Sequence, residues 1–305
     1  MIDSGSTFAE YRRLLFTIAY DLLGSVGDAE DVVQEAWLRW DTVDHAAVAN
    51  PRGYLVRIVV NLSLERLRQL RRAREDYVGP WLPEPLWTTE DVAERVTDAE
   101  DLATGMLVVL ETLSPLERAA FVLHDVFGFD HPEVAEMLDR SPSAVRQLVH
   151  RARDHVRERR PRFRAEPEAA RQAADRLMQA ATGGSIEGLL EVLAPDVVLY
   201  LDGGGAIRTA LRPITGAEKV ARLFGAIGPD LPRYELVWDA GTRRAIGYAD
   251  GRPLTALGLD VADGKVTGIY GVLNPDKLKH LAENKKFGRP STKPAGTWED
   301  RPTDE

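Results

Sequence analysis

The chain contains no cysteine, which excludes disulfides and thiolate metal sites. Lysine is absent from the first 218 residues, so the positive charge of that stretch is carried by arginine. The six histidines lie at 45, 124, 131, 150, 155 and 280, leaving only His280 near the C-terminal end. No uninterrupted apolar run approaches the ~20 residues that a membrane span needs. The first seven residues, Met1 to Thr7, lack the basic flank and apolar core of a signal peptide. These absences lead us to expect a cytoplasmic protein with no membrane contact, no metal and no cofactor. What is present is ordinary for a globular chain: 305 residues, 44% apolar and 29% charged, enough for two or three domains.

The net charge of −9 hides an uneven distribution. Residues 51–75 carry seven arginines against two acids, and residues 140–164 carry nine against two, which leaves 23 bases against 44 acids in the remainder. Two basic segments within an acidic chain suggest two contacts with a polyanion.

Local patterns place these segments on helices. Residues 8–23 have helical apolar periodicity and stop at Gly24. Asp28 is the expected N-cap of a second helix, with the apolar stripe Val32, Val33, Ala36, Trp37 and Trp40. A third helix is expected from Pro51 to about Arg74. Residues 76–101 hold eight acids and one arginine, include W-L-P-E-P at 81–85, and read as a linker with at most a short terminal helix. Helices are then expected at 102–113, 115–127, 131–138 and 142–160. Beyond Pro161 the pattern predicts two helices over 166–193, a strand at 196–201, a helix at 216–227, and strands at 234–239, 243–249, 254–261 and 265–273. The last of these follows an Asp263-Gly264 turn. This is an α+β pattern of helices on a curved antiparallel sheet, followed by a polar tail expected to be disordered.

The stretch from Asp130 to Val156 fits a helix-turn-helix. Ala135 is small enough for a close helix crossing, and Val145, Leu148, Val149, Ala152 and Val156 form the inner stripe of the second helix. Ser141 is a good N-cap before Pro142, and Asp139 occupies the turn position where such motifs usually have glycine. Ser143, Arg146, Gln147, His150 and Arg151 face outward, where arginine can read guanine and glutamine adenine in a major groove. A helix merely covered in solvated arginine is the bland alternative. On the helix at 51–74, Arg57, Asn61, Glu65, Arg68 and Arg72 share a face, with Arg71 beside them. Taken alone, that face does not separate nucleic-acid binding from solvation.

Wider motifs give context. D-A-E-D-V-V-Q-E-A-W at 28–37, followed by P-R-G-Y-L-V-R-I-V-V-N at 51–61, resembles region 2 of an extracytoplasmic-function (ECF) sigma factor. L-S-P-L-E-R-A-A-F-V-L at 113–123, with the helix-turn-helix after it, resembles region 4. The resemblance implies core RNA polymerase as a partner, through its β′ clamp and β flap, and promoter DNA as the target. Asp31, Gln34, Glu35 and Arg39 would meet the clamp. Arg57, Asn61, Arg68, Arg71 and Arg72 would hold the unwound −10 strand, with Asn61 beside a flipped base. Ser143, Arg146, Gln147, His150 and Arg151 would read the −35 duplex. The acidic linker would thread the polymerase channels.

Three further motifs, W-L-P-E-P at 81–85, D-G-G-G at 202–205 and N-P-D-K-L at 274–278, resemble a subgroup with a fused C-terminal SnoaL-like cone. That resemblance implies regulation in cis, through Trp81, Leu82, Pro83, Asp202, Gly203, Gly204, Gly205, Asn274, Pro275, Asp276, Lys277 and Leu278. It divides the chain into region 2 (1–75), linker (76–101), region 4 (102–162), cone (165–283) and tail (284–305).

Read from the residues alone, D-G-G-G is a tight turn with the aspartate capping glycine amides, and Asn274 before Pro275 is a helix N-cap. A buried Asp202 could serve as a general base, but no second carboxylate lies at an evident spacing. A small molecule in the cone, making the chain a one-component regulator, is the alternative function.

Overall fold

A computed structural model describes residues 4–86, 102, 104–159, 167–228, 235–238, 244–249 and 251–283. The rest of the acidic linker, with its expected short helix, and the tail lie outside the described residues.

The first helical group comprises α1 (Ser4–Leu23), α2 (Val26–Asp41) and α3 (Pro51–Glu75). Trp40, Leu15, Ile18, Leu22 and Leu55 are fully buried there. The N-cap of α2 is Ser25, whose side chain accepts from the Asp28 amide; Asp28 therefore sits in the first turn and not at the cap. Its carboxylate instead receives Arg66 Nε at 2.7 Å, tying α2 to α3.

The second group comprises α4 (Thr104–Leu110), α5 (Pro115–Phe121), α6 (His131–Leu138) and α7 (Pro142–Arg159). Both α5 and α6 begin with a capping box, Ser114 with Glu117 and Asp130 with Glu133. The expected 115–127 helix changes into a π-helical turn at Val122–Val126. Asp139 adopts the left-handed conformation, φ 53°, between α6 and α7. The two groups do not keep separate cores. One continuous apolar cluster runs from Phe8 to Val156, with α3 packed against both α5 and α6.

The α+β unit contains α8 (Pro167–Thr182), α9 (Ile186–Val192), β1 (Leu193–Asp202), β2 (Ile214–Thr215), α10 (Ala217–Ile227), β3 (Glu235–Trp238), β4 (Arg244–Ala249), β5 (Arg252–Ala262), β6 (Lys265–Val272) and α11 (Pro275–Glu283). Its six strands run in the order β2-β1-β6-β5-β4-β3, antiparallel except for the β1–β6 pair. That parallel pair follows from topology, because the two strands are far apart in sequence and need no hairpin. The two-residue β2 is too short for a periodic signal. Helices α8, α9 and α10 cover one sheet face around Leu193, Val197, Leu199, Val261 and Ile269. The other face packs Ile246, Ala256, Tyr270 and Val272 against Leu278 and Leu281 of α11 and Leu82 of the linker. Among the described residues no helix is long and apolar enough to cross a membrane.

Asp139 gives a test of the turn. Asp139→Val places a β-branched side chain at positive φ and is expected to cost about 1–2 kcal/mol, whereas Asp139→Gly is expected to fold at least as well. Thermal denaturation of the two variants checks this; equal melting would sink the argument.

Candidate functional site

Each polar surface is set by the helix beneath it. On α2 the buried stripe Ala29, Val32, Val33, Ala36 and Trp40 turns Asp31, Gln34, Glu35 and Arg39 to solvent. Arg39 pairs with Glu35 one turn earlier at 2.6 Å. Leu38 lies among them with 60% of its surface exposed, an apolar member that the polar pattern missed. On α3, Arg57, Asn61 and Arg68 are exposed on one face, opposite buried Leu55, Val59 and Leu62. Arg71 and Arg72 lie on the same helix, but their side chains are outside the described residues.

On α7 all five expected residues are exposed. They are not equivalent. Arg151 Nε donates to Glu117 on α5 at 2.9 Å, and His150 Nδ1 lies 2.8 Å from Asp154. Ser143 shares a hydrogen bond with the cap residue Ser141 at 2.9 Å. Arg146 and Gln147 make no side-chain hydrogen bond among the described residues. A groove of about 340 Å³ runs beside Arg146 and His150 and is also lined by His131, Arg153 and Arg157. Arg153 and Arg157 were missed because both lie C-terminal to the expected reading face, two and six residues past Arg151.

The three short motifs converge on one buried carboxylate. Asp202, at the end of β1, has no exposed surface. Oδ1 accepts from the Tyr77 hydroxyl at 2.6 Å and the Gly204 amide at 3.1 Å. Oδ2 accepts from the Leu82 amide at 2.8 Å and Lys277 Nζ at 2.7 Å. Lys277 donates also to the Leu82 carbonyl at 2.5 Å and sits 4.0 Å from the centre of the Trp81 ring. Burial pulls the Lys277 ammonium below its usual range, with Asp202 opposing that pull. Burial raises the Tyr77 hydroxyl, and its bond to Asp202 raises it further. The D-G-G-G turn therefore caps a glycine amide as expected and also grips two other segments. Gly204 has φ 57° and lies so close to Asn274 that a Cβ would collide with its side chain.

N-P-D-K-L divides by face. Asn274, Lys277 and Leu278 are buried, while Pro275 and Asp276 are exposed. Asn274 Oδ1 accepts the Asp276 amide at 3.0 Å, capping α11, and its Nδ2 donates to Tyr77 Oη at 2.8 Å. W-L-P-E-P spans the gap between α1–α2 and the sheet. Leu82 is fully buried and Pro83 is buried beside it. Glu84 Oε2 accepts the Val26 amide at 2.7 Å, at the positive end of α2. The Glu84 carbonyl takes the Tyr20 hydroxyl at 2.6 Å. His280 Nε2 lies 2.8 Å from the Pro85 carbonyl, and Arg244 donates to the Leu86 and Leu102 carbonyls at 3.3 and 3.2 Å. Tyr77, His280 and Arg244 were missed, as was the role of Glu84 within its motif; their partners lie 58 to 197 residues away, beyond any local pattern.

A general base must have a free lone pair aimed at a substrate. Asp202 has both oxygens doubly occupied by the chain. A second buried carboxylate, Asp260, accepts the Tyr270 hydroxyl at 2.8 Å, with the Tyr200 ring stacked on Tyr270 at 5.4 Å. Gly105 of α4 presses on this pair so closely that a Cβ would overlap Asp260 and Tyr270. Among the described residues, the cavity between linker and sheet is about 20 Å³, room for a water.

The sigma-70 region 2 family model matches residues 7–73, and the sigma-70 region 4 model matches residues 106–156. The chain is 41% identical over 291 residues to the ECF RNA polymerase sigma factor SigJ of Mycobacterium tuberculosis, covering 90% of this chain and 92% of that one. It is 28% identical over 285 residues to the probable ECF RNA polymerase sigma factor SigI of the same species, covering 89% and 93%. The crystal structure of Mycobacterium tuberculosis SigJ superposes with a TM-score of 0.72 at 37% identity, over 91% of this chain and 98% of that one.

Removing the central carboxylate tests the clamp. Asp202→Ala leaves Lys277 buried without a counter-ion and is expected to weaken the linker's seat by about 3–5 kcal/mol. Limited proteolysis near residue 80 and the urea midpoint measure this; an unchanged cleavage pattern would reduce the pair to a surface-like contact.

Proposed function

Since the chain belongs to the ECF sigma factors of RNA polymerase, which confer promoter specificity on the core enzyme, we propose a division of labour among its parts that follows the exposed faces. Residues 1–75 act as region 2, 76–101 as the linker, 102–162 as region 4, 165–283 as the regulatory domain and 284–305 as a tail. Asp31, Gln34, Glu35 and Arg39, with Leu38 at their centre, meet the β′ clamp. Arg57, Asn61 and Arg68, with Arg71 and Arg72, hold the unwound −10 strand. Arg146 and Gln147 read the −35 duplex, Ser143, His150 and Arg151 support them, and region 4 meets the β flap. The protein works in the cytoplasm, with the chromosome and polymerase. Its activity is binding, not catalysis.

The observation that carries this reading is that both basic faces are exposed while their backs share one core. Arginines neutralising phosphates supply salt-dependent affinity. Strand separation costs on average ~1.4 kcal/mol per stacked step, and extruding a base costs a few kcal/mol more. An exposed asparagine beside arginines can offset such costs by hydrogen bonding to the extruded base.

The shared core also limits reach. The −35 and −10 elements are separate stretches of DNA, and each base pair between them adds ~3.4 Å of duplex. In this structure region 4 is held directly against region 2, with α3 packed on both α5 and α6 in one core. We infer that occupying both elements requires region 4 to leave region 2, and that holding them together is how the C-terminal domain regulates in cis. A ligand for the cone would have to displace Leu82 and Pro83, because they fill the sheet face it would use.

Run-off transcription with purified core polymerase and a random promoter library tests the reading. Absence of initiation from every template, with and without the tail, would overturn it. Asn61→Ala is expected to reduce promoter opening at least tenfold while leaving duplex −35 binding intact, measured by permanganate footprinting and gel shift. Arg146→Ala is expected to do the reverse, costing about 1–3 kcal/mol of −35 affinity.

A further inference from the structure

We propose that Trp81 couples the cone to the joint between regions 2 and 4, so that the cone's hold on the linker sets how readily the two DNA-binding regions separate. This rests on the reading above that the regions separate in use.

Trp81 is sandwiched between cations from two parts of the molecule. Lys277 of the cone lies 4.0 Å from its ring centre, and the Arg74 guanidinium, in the last turn of α3, lies 3.9 Å away. Each cation is the end of a buried chain of contacts. On the cone side, Lys277 is held by Asp202 and the Leu82 carbonyl. On the other side, Arg74 donates to the Leu23 carbonyl at 2.5 Å and pairs with Glu111. The second oxygen of Glu111 takes Arg118 at 2.6 Å, and Arg118 donates to the Leu22 carbonyl at 2.8 Å.

Two arginines thus cap the free carbonyls at the end of α1, and one region 4 carboxylate neutralises both. Arg118 is 3% exposed, so neither it nor Arg74 can shed its charge into solvent without movement. The ring and the carboxylate stabilise Arg74 jointly, and burial pulls against its charge. If the cone releases Trp81, Arg74 loses its π face, and the balance of two cations on one anion shifts toward repulsion. The joint that fails is the one between α1–α3 and α4–α5. A mere spacer at position 81 would transmit nothing of this kind.

The absence of cysteine allows a direct test. Exposed Glu30 and Glu136 are replaced by cysteine, labelled, and the region 2 to region 4 distance is followed by single-molecule energy transfer in the full chain. Asp202→Asn and Glu111→Gln are each expected to raise the separated fraction several-fold. The double variant is expected to fall short of the product of the two effects by at least about threefold, because the first change has already loosened what the second acts on. Independent, multiplicative effects would overturn the proposal, as would an Asp202→Asn variant that leaves the distance unchanged. If Asp202→Asn does not fold, Trp81→Phe replaces it in the same cycle, with the same two outcomes. Run-off transcription separates the two readings: coupled distances with unchanged initiation would sustain the coupling and sink the claim that separation limits transcription.

Discussion

The arrangement depends on one buried carboxylate. Asp202 accepts four hydrogen bonds from three segments: the linker through Tyr77 and Leu82, its own turn through Gly204, and α11 through Lys277. A buried ion pair is seldom more stabilising than well-packed apolar groups, because desolvation offsets the attraction. Its value here is specificity of register. In this docking the Leu82 amide and carbonyl, Tyr77 and Asn274 all find partners, and leaving one of them buried and unpaired costs about 1–3 kcal/mol. With that register fixed, Glu84 arrives at the N-terminus of α2 and Trp81 arrives between Arg74 and Lys277.

The same register bears on the helical half. The surfaces proposed for polymerase and DNA stay in solvent, whereas the apolar backs of α3, α5 and α6 close on one another. Among the described residues none of the proposed recognition side chains is buried, and the shared core fixes the two faces in one arrangement. Restraint by packing and by a few paired charges is graded, since each contact contributes roughly 1–3 kcal/mol and can be lost without unfolding either region.

How much of this is legible in the sequence depends on the distance over which each interaction acts. The helix-turn-helix was readable because Ala135, Ser141 and the Val145–Val156 stripe are local. The Asp263-Gly264 turn was readable for the same reason, and both residues indeed adopt positive φ. Asn274 reads as a cap from its neighbour Pro275. Where local signals compete, the reading slips: Asp28 looked like a cap, yet Ser25 holds that place and Asp28 turns to Arg66 on α3. The roles of Arg74, Glu111 and Arg118 could not be read, because the contacts that join them to α1 and α3 span 37, 51 and 96 residues across a fold. Single acidic or basic residues carry no mark of their partner. Only the recurrence of three short motifs hinted that distant segments meet, and it did not say that one aspartate joins them.

The cone illustrates why fold does not dictate function. Its inner face retains the elements from which a polar pocket could be built: a buried Asp260, a tyrosine bonded to it, and a second tyrosine stacked alongside. Catalysis or sensing at such a face needs an empty volume and an unpaired group. Here α4 crosses Tyr270 at Gly105, Leu82 occupies the apolar floor beside Val272, and Asp202 is saturated. The concave sheet instead packs against Leu82 of its own chain, with Pro83 to Leu86 alongside. Because those residues also touch α1 and α2, what fills the cone is mechanically part of the promoter-binding half. On the proposal above, release of the linker from the cone and separation of the DNA-binding regions belong to a single equilibrium.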